Sequence, residues 1–387
     1  QNLISFKEAI EQIHHPKDNN SLQKAIYRIK FDEHFFFQLL MALRKKKIKD
    51  GNGRAFNKKG EIVKLIYNNL PFDLTKSQIN VLKEIRSDLS NNKTMNRLLQ
   101  GDVGCGKTIV AIMASAIIIE NKAQVAILAP TEILAEQHYK SFKEHFNKVG
   151  IEVGLLIGKM KPKDKEKLIN NVVSSKINIV VGTHALLQEN VKFKDLGLVI
   201  IDEQHRFGVG HRKQIMDKGY NPDILSMTAT PIPRTLAITI HGDMDVSIID
   251  ELPKNRASIK TKVVSENDIF NEVYNLMKRE MKLGRQCFIV YPIIEESEKL
   301  DLKAAMTAYK VLNDEIFKDF NIGYIDGRIK KEDRDIEMSR FLNNELQCIV
   351  STTVIEVGID VPNATVMLIE NADRFGLSQL HQLRGRI

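Results

Sequence analysis

One spacing limits the fold of this chain more than any other. Gly101, Gly104, Gly106, Lys107 and Thr108 fit the pattern GxxxxGK[ST], set between a short strand-like run at 97–100 and a long apolar stretch at 109–119. A strand that turns abruptly into a buried helix needs left-handed backbone angles, which glycine adopts without a steric penalty. Such a loop turns its N–H groups inward, and the following helix N-terminus adds favourable electrostatics, so together they suit phosphate oxygens. Lys107 is then placed to reach β and γ phosphates, and Thr108 to ligate Mg²⁺. Cys105 sits inside the loop at a position of variable side chain and is not expected to act as a nucleophile.

The sequence around the loop has the alternation that such a loop requires. From Pro71 onward, short β-branched runs alternate with helical segments, and strands are predicted at 97–100, 125–129, 177–182, 198–202 and 224–228. A second set follows Pro253, at 260–265, 286–291, 322–325, 347–351 and 365–370. Runs this continuously apolar suit parallel sheets covered on both faces. The expected fold class is therefore α/β, with two domains in tandem and a joint near 251–256. The domains are read as a helical segment at 1–70, a first α/β domain at 71–254 and a second at 255–387. No sequence repeat is evident, although the two halves are expected to share architecture.

Composition narrows the class further. Hydrophobic residues make up 43% and charged residues 27% of the 387 positions, which excludes disorder, collagen and a coiled coil for the whole. Cys105, Cys287 and Cys348 lie far apart without zinc-ligand spacing, and a reducing compartment is expected. The stretch at 109–119 stops at Glu120, well short of the roughly 18 residues of a membrane span. Of the net charge of +8, residues 1–70 carry +7, with 14 Lys and Arg against 7 Asp and Glu. Within them, 21–47 reads as a helix bearing Phe35, Phe36, Leu39, Leu40 and Leu43. The helix ends in a basic cluster from Arg44 to Lys49, before the breaker Gly51-Asn52-Gly53. Two readings of this helix stand side by side. Either the aromatic stripe packs on a neighbouring domain and the lysines cap the helix in solvent, or the cluster contacts nucleic acid.

A hydrolytic centre needs acids opposite the loop, and residues 198–205 supply them. Four apolar residues lead to Asp202 and Glu203, which places two carboxylates at the C-terminal edge of a strand, where open α/β sheets bind ligands. Asp202 is expected to hold the metal through water, and Glu203 to orient and polarise the attacking water. Phosphoryl transfer rests mainly on positioning and charge neutralisation, so one further cation is wanted. These motifs alone leave transporters, motor ATPases and helicases open, although no LSGGQ-like signature supports a transporter.

Further strings narrow that choice. Asp202-Glu203-Gln204-His205 resembles the DExH box of superfamily 2 helicases and translocases. Ala129-Pro130-Thr131-Glu132 with Glu136-Gln137, and Val181-Gly182-Thr183-His184, resemble that superfamily's strand-binding motifs. Thr228-Ala229-Thr230-Pro231 is similar to the motif coupling ATP to nucleic acid. The run at 352–362 resembles the fifth motif, and the one at 379–386 the start of the sixth. Within the superfamily, the strings at 202–209 and 230–236, Leu74-Thr75 with Gln78, and the N-terminal stretches at 13–16 and 28–40 resemble the bacterial branch-migrating helicases. The transcription-repair coupling factors share the extension at 230–236 but usually carry Asp-Glu-Glu-Gln at the box.

The resemblance implies two RecA-like P-loop domains behind a helical segment and an ATP-dependent motor acting on branched or forked DNA with ATP and Mg²⁺. A monomeric protein of the bacterial cytoplasm is expected. It also implies that Gln78 reads the adenine edge and that Gly358 and Asp360 face the nucleotide and the nucleic acid. Gln204 and His205 relay the nucleotide state toward Thr228 and Thr230, while Thr131, Thr183 and Thr353 touch the strand. Arg386 supplies the missing cation across the cleft. The family's wedge domain, the end of its sixth motif and its C-terminal hairpin have no counterpart here, so the chain is expected to be a fragment. The alternative is an ATP-gated nucleic-acid-binding module with little turnover, or the motor of a coupling factor.

Overall fold

The computed structural model describes residues 3–49, 53–58, 60–229, 244–251, 253, 259–265, 268–292, 298–352, 361 and 363–387. Two parallel sheets organise them. The larger contains β1 (Asn96–Gly101), β2 (Gln124–Leu128), β3 (Val153–Leu156), β4 (Ile179–Gly182), β5 (Leu196–Asp202), β6 (Asp223–Thr228) and β7 (Asp245–Ile249), in the order β3-β4-β2-β5-β6-β1-β7. Strands β2, β4, β5 and β6 are buried at every residue, which is why β2, β4 and β5 read as nearly continuous apolar runs without alternation. Asp202 pairs with Met227 and Gln100 with Thr228, so β5, β6 and β1 end nearly level. The residues that follow them emerge along one edge.

Helices α1 (Phe6–His14), α2 (Asn19–Lys49), α3 (Glu61–Asn68), α4 (Lys76–Leu89), α5 (Lys107–Glu120), α6 (Glu132–Asn147), α7 (Pro162–Val173) and α8 (Val209–Met216) accompany this sheet. Residues 109–119 of α5 are all buried, because the helix is enclosed by β1, β2 and β5 on one side and by α3, α4 and α6 on the other. An all-round apolar helix is stable only in such a position.

The smaller sheet has the order β11-β8-β10-β9, from β8 (Gln286–Tyr291), β9 (Ile322–Ile325), β10 (Cys348–Thr352) and β11 (Ala364–Ile369). It is flanked by α9 (Asn275–Lys282), α10 (Glu298–Val311), α11 (Lys331–Leu342) and α12 (Leu377–Arg384). The fold class expected from the sequence is met, and four of the five strands expected in the second half are present. The fifth is not: among the described residues 260–265 pairs with no strand, and Val263 is 95% exposed. A β-branched run has no reason to hold a strand when no neighbour accepts its hydrogen bonds. Edge strands β3 and β7 were not anticipated.

The N-terminal helix is present, but its aromatic stripe is not packed away. Phe36 is 63% exposed, and Phe35, Leu39, Leu40 and Leu43 are also exposed. Helix α2 instead leans on α1, and Arg28 Nη1 donates to the carbonyl of Ile4, just ahead of α1, at 2.9 Å. Lys45 then ties it to Asp245 of β7 at 2.7 Å. That lysine of the basic cluster is thus engaged in an ion pair.

Candidate nucleotide site and nucleic-acid track

The phosphate-type loop leaves β1 and turns through Gly104 (φ 78°) and Gly106 (φ 89°) into α5. No side chain caps α5 at Gly106, so the N–H groups of its first turn face the loop without a side-chain acceptor there. Lys107 Nζ donates to the carbonyls of Gly101 at 2.7 Å and Asp102 at 3.0 Å, which folds the lysine back across the loop. Gln78 lies against it. Its amide oxygen accepts from the Thr75 N–H at 2.9 Å, and its Nε2 donates to the Cys105 carbonyl at 2.8 Å. Both ends of the amide expected to read adenine are thus spent on the start of α4 and on the loop. Cys105 is buried, and burial pushes its thiol up.

Asp202 ends β5 and is held on both oxygens. His138 Nε2 lies 2.7 Å from Oδ2, and the Glu203 N–H donates to Oδ1 at 3.0 Å. Burial disfavours its charge, yet His138, Lys107 and the Glu203 N–H together hold the carboxyl below the usual range. Glu203 has a left-handed backbone, φ 49° and ψ 58°, an uncommon conformation for a non-glycine residue that aims its side chain away from the strand direction. Burial, then the charge of Asp202, pushes its carboxyl up, while Lys107 and Arg386 oppose the rise. Among the described residues Glu203 Oε2 accepts no hydrogen bond, and it lies 3.5 Å from His205 Nδ1. Two adjacent carboxyls are thus driven apart, Asp202 below its ordinary range and Glu203 above it.

Residues expected along the strand track leave the same sheet edge. Thr131 follows β2 and caps α6, accepting from the Leu134 N–H at 3.3 Å. Thr183 follows β4, and Thr228 ends β6; both are buried. Gln204 is buried with Nε2 3.6 Å from Met244 Sδ, whereas the His205 side chain is 45% exposed. Thr230, Thr353, Gly358 and Asp360 lie outside the described residues.

The second domain reaches the loop through α12. His381 Nε2 lies 2.6 Å from Asp102 Oδ1, and a Cβ at Gly385 would stand 2.7 Å from Val103 Cβ. Only a glycine allows that approach. Arg386 follows, 3% exposed, with its charge acting on Glu203.

The donor set fits a magnesium nucleotide. Among the described residues no group of three or more His, Cys, Asp or Glu side chains could hold a metal alone. Mg²⁺ usually takes only one or two carboxylates beside phosphate oxygens and water, which Asp202 and Thr108 match.

Two family models match the chain, the DEAD/DEAH box helicase model over residues 75–238 and the helicase conserved C-terminal domain over 268–387. The ATP-dependent DNA helicase RecG of Synechocystis sp. is 49% identical over 386 residues, covering 100% of this chain and 46% of that protein. RecG of Bacillus subtilis is 47% identical, covering 100% of this chain and 56% of its own length. The chain belongs to the RecG helicases. A RecG structure bound to a three-way DNA junction superposes with a TM-score of 0.86 at 44% identity, over 100% of this chain and 51% of that one. The DEAD-box helicase Mss116, 20% identical, superposes at 0.61 over 84% of this chain and 70% of its own, and shares the fold. The chain spans about half the length of the curated RecG relatives it matches. No helix among the described residues is long and apolar enough to cross a membrane.

Three side chains at this RecG-family site escaped the sequence reading: His138, His381 and Asp102. His138 carried a signal, since it interrupts the helical apolar row Leu134, Ala135, Phe142 and Phe146. Asp102 and His381 carried none, because their meeting depends on how the two domains face each other.

Proposed function

We propose that this chain is the motor of an ATP-dependent DNA helicase or translocase that remodels branched DNA, such as replication forks and Holliday junctions, in recombination and repair. The observation that carries the reading is the convergence on Glu203 of Lys107 from the first domain and Arg386 from the second. Bound ATP with Mg²⁺ supplies the phosphoryl group whose transfer to water drives movement on the duplex. Lys107 and the first-turn N–H groups of α5 bind phosphate, while Thr108 and Asp202 hold the metal. Glu203 orients and polarises the attacking water, and Arg386 neutralises the charge that develops.

Gly101, Gly104 and Gly106 let the loop backbone close on phosphate. Gln78 serves the adenine edge by exchanging one of its present bonds. Gly358 and Asp360 complete the nucleotide side of the second domain. Residues 71–254 form the ATP-binding domain, 255–387 the C-terminal one and 1–70 the helical link. DNA crosses the shared sheet edge, held at phosphates by Thr131, Thr183 and Thr353 without sequence readout. Gln204, His205, Thr228 and Thr230 connect that track to the nucleotide. The motor works as a monomer in the bacterial cytoplasm.

Measuring ATP turnover with and without a synthetic fork tests the reading. The chain is expected to hydrolyse faster with the fork, and Lys107→Ala to lose that stimulated turnover. Stimulated turnover that survives in the variant overturns the proposal.

A further inference from the structure

We propose that His138 is a positioning residue, carrying strand engagement at the start of α6 to the metal-binding carboxylate of Asp202. The inference rests on the site being a nucleic-acid-stimulated nucleotide hydrolase. Helix α6 buries Leu134, Ala135, His138, Phe142 and Phe146 on its inward side. An imidazole in such a row is costly unless its nitrogen finds a partner. The partner is Asp202, 2.7 Å from Nε2 to Oδ2, while the other oxygen is held by the Glu203 N–H at 3.0 Å. A carboxylate bonded on both oxygens is fixed in its plane, so its remaining lone pairs keep one direction. Losing a partner of this kind typically costs about 10–100-fold in metal affinity.

The same helix begins at the proposed DNA track. Thr131 caps α6, and His138 follows seven residues later, about 10 Å along the axis at 1.5 Å per residue. Lys159, on the segment after β3, lies 3.6 Å from Glu132 and 3.3 Å from Glu136, so the first turns of α6 are tied to that segment by charge. Strand β5 is held instead by β2 and β6 in the middle of the sheet. On this proposal a phosphate gripped at Thr131 acts through α6 on the imidazole, while Asp202 stays fixed to the sheet. His138 is the polar link between a helix that meets the strand and an acid that meets the metal.

The test compares the wild-type chain with His138→Leu, His138→Gln and His138→Asn. A fluorescent ATP analogue is titrated in Mg²⁺ and in EDTA, turnover is read with and without a synthetic fork, and thermal midpoints are recorded. His138→Leu is expected to lose about 10–100-fold of the affinity gained from Mg²⁺, with the EDTA affinity unchanged and fork stimulation lost. His138→Gln, whose amide N–H can reach the same oxygen, is expected to keep most of both. A folded Leu variant that retains the Mg²⁺ gain and the stimulation overturns the proposal, as does equal loss with and without Mg²⁺. Should His138→Leu melt below the assay temperature, Asn is too short to reach Oδ2 and must behave unlike Gln; equal behaviour again overturns the proposal. A wild-type chain with no Mg²⁺-dependent binding sinks the proposed function itself, whereas a normal wild type beside a silent Leu variant sinks only the role of His138.

Discussion

Asp223 makes the stability of the larger domain depend on pH although it takes no part in the site. It opens β6 at the sheet edge opposite the phosphate loop, 3% exposed, with Oδ1 accepting the Met95 N–H at 2.6 Å. Burial pushes its carboxyl up to about 8; the Met95 N–H opposes the rise and the charge of Asp88 adds to it. Below the unfolded value of 3.8 the group is protonated in both states and costs nothing. Between there and about 8, the unfolded chain ionises it while the folded chain holds the proton, so stability falls as pH rises. At 1.36 kcal/mol per pH unit the whole loss is about 6 kcal/mol as an upper bound, complete above the folded value. Asp223→Asn keeps an oxygen for Met95 and removes the titration. Urea unfolding of both proteins in steps from pH 5 to pH 9 reads the difference, with other groups cancelling between them. The variant is expected to gain stability relative to wild type as pH rises. A difference that stays constant across that range refutes the reasoning.

Two further outcomes test the cleft. Arg386→Ala is expected to lower fork-stimulated turnover by about 10³-fold or more, the usual scale of an arginine acting on the transferring phosphoryl group. Analogue binding in EDTA should change far less, and a variant with normal turnover would remove Arg386 from the reaction. Gly106→Ala forces a Cβ to within 2.2 Å of Gln78 Nε2 at a φ of 89°. The strain costs about 1–3 kcal/mol at such an angle and should appear as a lower thermal midpoint with weakened nucleotide binding; an unchanged midpoint would mean the loop does not need its left-handed turn.

What could be read from the sequence follows how far each interaction reaches along the chain. Helix α5 and strands β2, β4 and β5 were legible because burial on every side leaves an apolar run that nothing else in the chain imitates. Strands β3 and β7 were not, since an edge strand of four or five residues shows little pattern. The run at 260–265 erred the other way, because its β-branched residues look like a strand and the missing partner is invisible in sequence. The lysine cluster after α2 was legible as charge alone, and only the fold shows Lys45 spent on Asp245. Within the site, Lys107, Asp202 and Glu203 were legible because one strand-to-helix turn fixes each of them. His381 against Asp102 joins residues 279 positions apart and depends on domain facing.

One local device builds both walls of the cleft, and the fold reveals it where no periodicity in the sequence does. After β5, Glu203 is left-handed, a single 3₁₀ turn spans Gln204–Arg206, Phe207 is buried, and Gly208 caps α8. After β11, Asn371 is left-handed, a 3₁₀ turn spans Ala372–Arg374, Phe375 is buried, and Gly376 caps α12. Arg-Phe-Gly recurs at 206–208 and 374–376 because each buried phenylalanine anchors the same reversal from strand to helix. In the first domain the left-handed residue is itself the acid. In the second, the helix launched by the turn carries His381 to Asp102 and ends just before Arg386, whose charge acts on Glu203. The short string therefore says more about the cleft than the composition of either half, since it sets where the acid points and where the arginine arrives.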